Sequence, residues 1–381
     1  MDNGVNIKQK FFTPRTYILL ILSVIGVIIM LYRLAVGLGP TTNLSDTHPW
    51  GLWIAFDVMT GVALAAGGFT VTFAAYIANW DKYKSIARAA TLTAFLGYVL
   101  VCIGLFLDIG KPFAFWHPFF FWNPHSVMFE IVICVTTYTT VLTLEFLPWL
   151  LERLNILTGL KDFLEQKPVV FCLVILGIML SYGHQSSLGG LFLLEPHKLH
   201  PLWYSHMMHH WFFLSAICAG ISMVSIETIL GANLRNVEYE YDVLEGLGRG
   251  ASIALLVYFI CRLVDIGVHG KIHYIFAGDA ASILFIIEMG LCVLVPMIFL
   301  SSKTIRHSVP FLLFFHSLVI FGILLNRFDV VFLTESTMGG FYFPSWQEIA
   351  ISVGLVSLGL FLYKLIVTYL PIFEVPSDQP A

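Results

Sequence analysis

An all-α integral membrane protein with ten transmembrane helices is the fold this sequence predicts, and three observations predict it. The 381 residues are 58% hydrophobic and only 12% charged, with a mean hydropathy of +0.85, well outside the composition of soluble domains. Ten apolar runs are each long enough, at about 20 residues, to cross a hydrocarbon core. The basic residues gather in alternate loops, which sets an orientation. A net charge of −4 without any long basic run excludes nucleic acid as a partner. The partner that composition demands is the lipid bilayer.

In chain order, residues 16–38 follow a polar head carrying Lys8, Lys10 and Arg15, and they outlast the apolar core of a cleaved signal, so they stay as the first span. Residues 51–79 carry Asp57 about two turns in, with Gly61, Ala65, Gly67 and Gly68 suited to close helix contact. Residues 88–108 end on Asp108, and residues 125–148 hold Glu130 near the start and Glu145 near the end. The fifth run, 168–184, closes on His184 and Gln185. The sixth, 203–230, opens on Trp203 and the histidines His206, His209 and His210, and contains Glu227. The seventh, 250–268, ends with Arg262 and Asp265; the eighth, 280–300, follows Asp279 and contains Glu288. The ninth, 308–326, has His316 in its middle, and the tenth, 347–370, starts at Glu348. Short connections make one membrane domain over 1–381.

With the N-terminus inside, the outer face keeps six basic residues, Arg33, Lys111, Lys198, Arg262, Lys271 and Arg327, and the inner face takes the other 14 of 20. Both termini are therefore expected in the cytoplasm of a bacterium, with the chain in its inner membrane. Eleven of 13 histidines, all but His307 and His316, then fall on or near the outer face. So do the aromatic loops HPWGLW, KPFAFWHPFFFWNPH and FYFPSW.

An internal repeat underlies the ten spans. LFLDIG from Leu105 matches RLVDIG from Arg262, EIVICV from Glu130 matches EMGLCV from Glu288, and AAGGF from Ala65 matches CAGIS from Cys218. Offsets of 153 to 158 residues predict two parallel four-helix bundles, 51–184 and 203–326, flanked by single helices at 16–38 and 347–370.

Ionisable groups inside a bilayer are expensive and mark function. Asp57 and Glu130 have no basic neighbour in sequence and read as proton-handling groups, whereas Arg262 and Asp265 also read as an ion pair. The six cysteines lie in apolar segments with no CxxC and no spacing that would ligate zinc or a cluster. No metal site is predicted. A bis-histidine haem needs two histidines at equal depth on facing helices, and His316 has no evident mate. His184, followed by Gln185, Ser186 and Ser187, offers a donor that can also exchange a proton, as a quinone carbonyl requires.

Taken together, HPWGLWIAFDVMTG (48–61), LDIGKPFAFW (107–116), NPHSVMFE (123–130), HQSS (184–187), KLHPLW (198–203), FAGD (276–279) and FYFPSWQE (341–348) resemble the NrfD/PsrC family of membrane quinone-reactive subunits. Within it they are most similar to the ten-helix HybB-type branch of quinone-linked nickel-iron hydrogenases and of sulfur-metabolism complexes. The resemblance implies a quinone pocket near the outer face, no haem or iron–sulfur cluster in this chain, and two partners there. Those are a ferredoxin-type iron–sulfur subunit and a catalytic hydrogenase or sulfur-compound reductase or oxidase.

The expected function is exchange of electrons and protons between menaquinone or ubiquinone and that iron–sulfur subunit. His184 and Gln185 would meet the quinone, Asp57 would be its proton partner, and Trp53 and Trp203 would wall the ring. Glu130, Asp108, Glu288, Asp279 and Arg262 would lead protons to water. Two readings stay open beside it, a haem-bearing cytochrome b anchor and a proton-coupled transporter. The transporter reading is weakened because no helix pair reads as broken in mid-membrane.

Overall fold

The structure, a computed structural model, describes residues 11–46, 48–194, 198–235, 237–333, 342–370 and 372. Phe341 of the FYFPSWQE motif, Lys8, Lys10 and His197 lie outside the described residues. Ten helices are long and apolar enough to span a membrane: α1 Pro14–Val36, α2 Trp53–Ile77, α3 Asp81–Asp108, α4 Val127–Leu154, α5 Lys167–Leu194, α6 Met208–Leu234, α7 Tyr241–Val268, α8 Ala280–Ser301, α9 Val309–Leu333 and α10 Trp346–Tyr369. Among the described residues there is no strand, only an isolated bridge between Ser45 and His48.

All ten spans fall where hydropathy puts them, but several ends move. The fifth helix does not stop at His184; it runs on through Leu191 and a tighter last turn. Its polar residues are the reason: Gln185 donates to the Val62 carbonyl at 2.9 Å, and Ser187 donates to Glu130 at 2.6 Å. Polar side chains with protein partners can continue a helix through apolar surroundings, which hydropathy alone reads as an end. His184 is therefore interior. Glu130 moves the other way, into the first turn of α4, and is exposed. Trp203 precedes α6 instead of opening it, and α9 extends past Phe328 to bring Asn326, Arg327 and Asp329 into the span.

No span is interrupted by loop, yet α2, α8 and α9 contain wide π-helical stretches, at Trp53–Thr60 and Phe73–Ile77, at Ile287–Leu294 and at Asp329–Leu333. Three of the four carry a buried acid: Asp57, Glu288 and Asp329. An inserted residue of this kind re-aims side chains and is common at functional sites.

Spans α2 to α5 pack in sequence and close by α2 against α5; α6 to α9 do the same through α6 against α9. Across the two groups α2 touches α6 and α9, and α5 touches α6. Exchanging α2 with α6 and α5 with α9 maps each of these pairings onto another. Two repeated four-helix units would pair in this way.

Two glycines meet at one of these crossings. Gly67 and Gly220, 153 residues apart and at matching places in AAGGF and CAGIS, face each other where α2 crosses α6. A Cβ on Gly67 would stand 2.8 Å from the Gly220 carbonyl oxygen, and one on Gly220 would stand 2.5 Å from the Gly67 nitrogen. The flanking helices α1 and α10 are apart in sequence but paired in space. Gly26 and Gly354 sit back to back, each Cβ position lying 2.5 to 2.6 Å from the other's Cα.

Candidate functional site

The polar residues around the sequence-predicted site form three groups. In the first, α2 and α10 are tied together beside a cleft of about 470 Å³. Leu52 and Phe56 of α2, Leu324 and Phe328 of α9, and Ser352 and Val356 of α10 are among its walls. The cleft is almost wholly apolar, with Ser352 as one of its few polar groups. The Ser352 hydroxyl donates to Asp57 Oδ2 at 2.5 Å, so the carboxylate behind the wall communicates with the cleft through one hydroxyl. Asp57 itself is buried.

One turn before Asp57, Trp53 is buried, and its indole N–H points to the Glu348 carbonyl at 3.3 Å. Glu348 is fully satisfied. It accepts from the Tyr342 hydroxyl, from the Asn43 amide at 3.0 Å and from the Ser345 amide at 2.8 Å, and this capping box starts α10. Tyr342 also takes the Leu52 amide at 3.1 Å, which pins the start of α2. Gly51 must be glycine here, since its Cβ would lie 2.3 Å from that hydroxyl.

The second group lies between α2, α3, α4 and α5. The His184 ring is buried, 5.7 Å from the Tyr98 ring, which packs edge-on against Tyr138 at 4.5 Å. Neither ring nitrogen of His184 has a hydrogen-bond partner. Gln185 reaches α2 and Ser187 reaches Glu130, as above. His184 and Asp57 therefore stand on different surroundings of α2, and His184 is not among the residues that line the cleft.

The third group belongs to the second repeat. Glu288 is buried and accepts from the Trp203 indole at 2.8 Å and from Asn326 Nδ2 at 2.9 Å. Arg327 donates to Asn326 Oδ1 at 2.6 Å and to Ser215 at 2.8 Å, with its guanidinium 3.7 Å from the Phe212 ring centre. Arg262 donates to the Leu202 carbonyl at 2.8 Å and pairs with Asp265 at 3.4 Å. Asp265 accepts from Ser205 at 2.8 Å. The expected ion pair is present. Trp203 thus serves Glu288, apart from Trp53.

Of two acids named as proton carriers, Asp279 has a local hydrogen-bond partner, while one carboxylate oxygen of Asp108 is buried without one. Asp279 caps α8, its Oδ1 taking the Ser282 amide at 2.8 Å, and that bond holds its pKa below the usual carboxylate value. Asp108 ends α3 beside Ile109, whose carbonyl accepts from the buried Arg33 at 2.8 Å. His316 shares its Nδ1 with Ser222 at 3.1 Å. Outside the spans, burial lowers the pKa of His200 while Asp279 opposes it. Among the described residues no three His, Cys, Asp or Glu side chains gather as a metal site.

Sequence reasoning misses Ser352, Asn326 and Asp329. A serine in an apolar helix carries no signal of its own, because its hydroxyl can always bond the preceding turn. Asn326 and Asp329 are legible as polar residues, but hydropathy places them at and beyond the end of the ninth run, where a loop would be expected.

Ten spans, buried acids within them and an apolar cleft beside Asp57 define the class: a multi-pass integral membrane protein. Residues 40–339 match the family described as polysulphide reductase, NrfD, and the chain belongs to that family of membrane subunits of quinone-linked oxidoreductase complexes. It is 35% identical over 99% of both chains to a protein of Nitratidesulfovibrio vulgaris whose printed name gives no function. It is 33% identical to the probable Ni/Fe-hydrogenase 2 b-type cytochrome subunit of Escherichia coli, over 92% of this chain and 90% of that one. It is also 29% identical, over 91% and 88%, to the menaquinone reductase integral membrane subunit of Nitratidesulfovibrio vulgaris. The transporter and the cytochrome b readings are not favoured by this membership.

Proposed function

We propose that this chain exchanges electrons and protons between the quinone pool and an iron–sulfur subunit of ferredoxin type on the outer face, in a hydrogenase-type complex. The observation that carries the reading is the Ser352–Asp57 bond at the wall of the apolar cleft. Two relatives support the class, one named as a hydrogenase subunit and one as a menaquinone reductase subunit. A menaquinone or ubiquinone, when bound, supplies two-electron, two-proton redox chemistry.

The residues present fit such a group. Phe56, Phe328 and the aliphatic side chains of α9 and α10 exclude water from the cleft. Ser352 offers the hydroxyl through which a proton passes between the cleft and Asp57 Oδ2. Hydrogen bonding by an acid through one intermediary is within reach of general acid–base catalysis. Trp53 holds the start of α2 against α10 through the Glu348 carbonyl, and so positions Asp57.

On the other side of α2, His184 and Gln185 with the Glu130–Ser187 pair form a second polar group for proton movement to the outer water. Glu288 with Trp203 and Asn326, next to Arg262, forms its counterpart in the second repeat; Asp108 and Asp279 lie at the outer rim. The catalytic subunit beyond the iron–sulfur partner is proposed as a hydrogenase or sulfur-compound enzyme. The location is the bacterial inner membrane with both termini cytoplasmic.

The test uses the purified complex. Asp57→Asn and Ser352→Ala are each expected to lower quinone-linked turnover by about 100-fold, the lower end of what a lost acid–base group costs. Dye-linked turnover of the catalytic subunit should be kept. Unchanged quinone turnover in both variants removes the cleft from the mechanism.

A further inference from the structure

The outer connection between α3 and α4 exposes a dense run of aromatic rings. Of the ten residues 113–122, seven are Phe or Trp, and all seven are exposed, reaching 81% at Phe113, 75% at Phe120 and 73% at Trp122. Their contacts are mostly internal. Trp122 donates its indole N–H to the Phe119 carbonyl at 3.0 Å, and Trp116 packs edge-on against Phe120 at 5.8 Å. Two short helical turns, Pro112–Ala114 and His117–Phe120, shape the segment.

The repeat supplies a comparison. The matching connection between α7 and α8 also follows a DIG triplet, also has a lysine and also forms one short turn, Ile272–Ile275. There, however, Lys271 donates to the Tyr204 carbonyl at 2.7 Å, and Tyr274 packs on His200 at 5.7 Å. One copy is knitted into the protein and the other is not.

We infer that residues 111–122 form an interfacial anchor that lies in the outer-leaflet headgroup region of the bilayer. Three observations choose lipid over a protein partner. First, the segment joins the outer ends of two spans, and α4 packs against α3 and α5 while leaving the central α2, α6 and α9 to others. The segment therefore sits at the rim of the molecule, at the depth where chain meets lipid headgroups. Second, it has no Arg, an anchor that protein interfaces draw on, while Trp at the edge of a membrane is a belt residue's ordinary setting and Phe with Trp forms the apolar face of interfacial segments. Third, between Asp108 and Glu130 the connection contains Lys111, His117 and His125 and no acid, so Lys111 can meet a phosphate headgroup beside the rings. This inference is independent of the quinone reading, because no residue of the segment lines the cleft.

The test places a photo-crosslinking p-benzoylphenylalanine at Phe120, and separately at Trp122, in the full complex reconstituted in phospholipid nanodiscs. Irradiation is expected to yield phospholipid adducts of this chain, read by mass spectrometry. An adduct with another polypeptide subunit overturns the inference. Bromine-labelled lipids give a second readout that needs no crosslink: intrinsic fluorescence of the complex should be quenched, and the quenched component should shrink in Trp116→Phe/Trp122→Phe. Equal quenching with and without the two tryptophans also overturns it.

Discussion

At the scale of single residues the molecule separates acids that hold structure from acids placed for exchange. Asp279 is of the first kind. Its carboxylate caps α8 through the Ser282 amide, and a charged acceptor is favoured there by both the free amide and the helix dipole. Because the bond depresses the folded-state pKa, its stabilisation is present above the unfolded value of about 4 and is lost as pH falls through the folded pKa. Asp279→Ala should therefore melt lower than the parent at pH 7 in a detergent thermal-shift assay, with the gap closing toward pH 3. A gap that stays constant with pH would mean the carboxylate does not cap in its charged form. Asp57, proposed above for the second kind, is joined to a cleft by a single hydroxyl. Its importance is legible from position alone, as an acid in an apolar run. That of Ser352 is not, because nothing in ISVGLVS distinguishes the serine that faces an acid from one that bonds its own helix. The depth of His184 is hidden for a related reason: HQSS reads as a helix end unless the partners of Gln185 and Ser187 on other helices are known.

At the scale of elements, stability depends on where helices approach and where they widen. The crossing of α2 and α6 is a backbone contact, so a methyl group at Gly220 meets the Gly67 nitrogen and the Ala66 carbonyl carbon, neither of which can turn aside. Gly220→Ala should destabilise the subunit by about 1–3 kcal/mol, the range of overpacking a filled interior. Gly267→Ala is the control, since no atom lies within 4 Å of its added Cβ. There the expected effect is neutral or slightly stabilising, by helix propensity. Equal melting of Gly220→Ala and the control would deny the crossing. Gly67 and Gly220 can be paired from the sequence repeat alone, because each sits at the same place in its motif. The π-helical stretches cannot be foreseen in that way. A wider turn needs one extra residue per insertion, and the hydrophobic pattern of an all-round apolar helix has no phase to reveal it.

At the scale of the whole molecule, ten spans put both ends of the chain on one side, and the distribution of basic residues decides which. Lys84 and Arg88 at the start of α3, Arg153 in the last turn of α4 and Lys161 after it, and Lys303 and Arg306 after α8 lie at the ends opposite to Asp57, Glu130 and Glu288. An excess of lysine and arginine is expected on the cytoplasmic side, and on the orientation proposed above the cleft and the aromatic connection at 111–122 belong to the outside. The structure adds a constraint that composition lacks. Arg33, Arg262 and Arg327, half of the six outer basic residues, are buried against carbonyls or polar side chains of the protein. They are spent on internal contacts, which leaves the inner excess larger among the residues that face water. A fluorescent protein fused after Ala381 should therefore fluoresce in bacteria, and alkaline phosphatase at the same place should be inactive, while phosphatase inserted after His125 should be active. The opposite pattern would turn the molecule over. Asp57 and its cleft would then face the cytoplasm, and the iron–sulfur partner would have to dock on that side for electrons to reach the cleft.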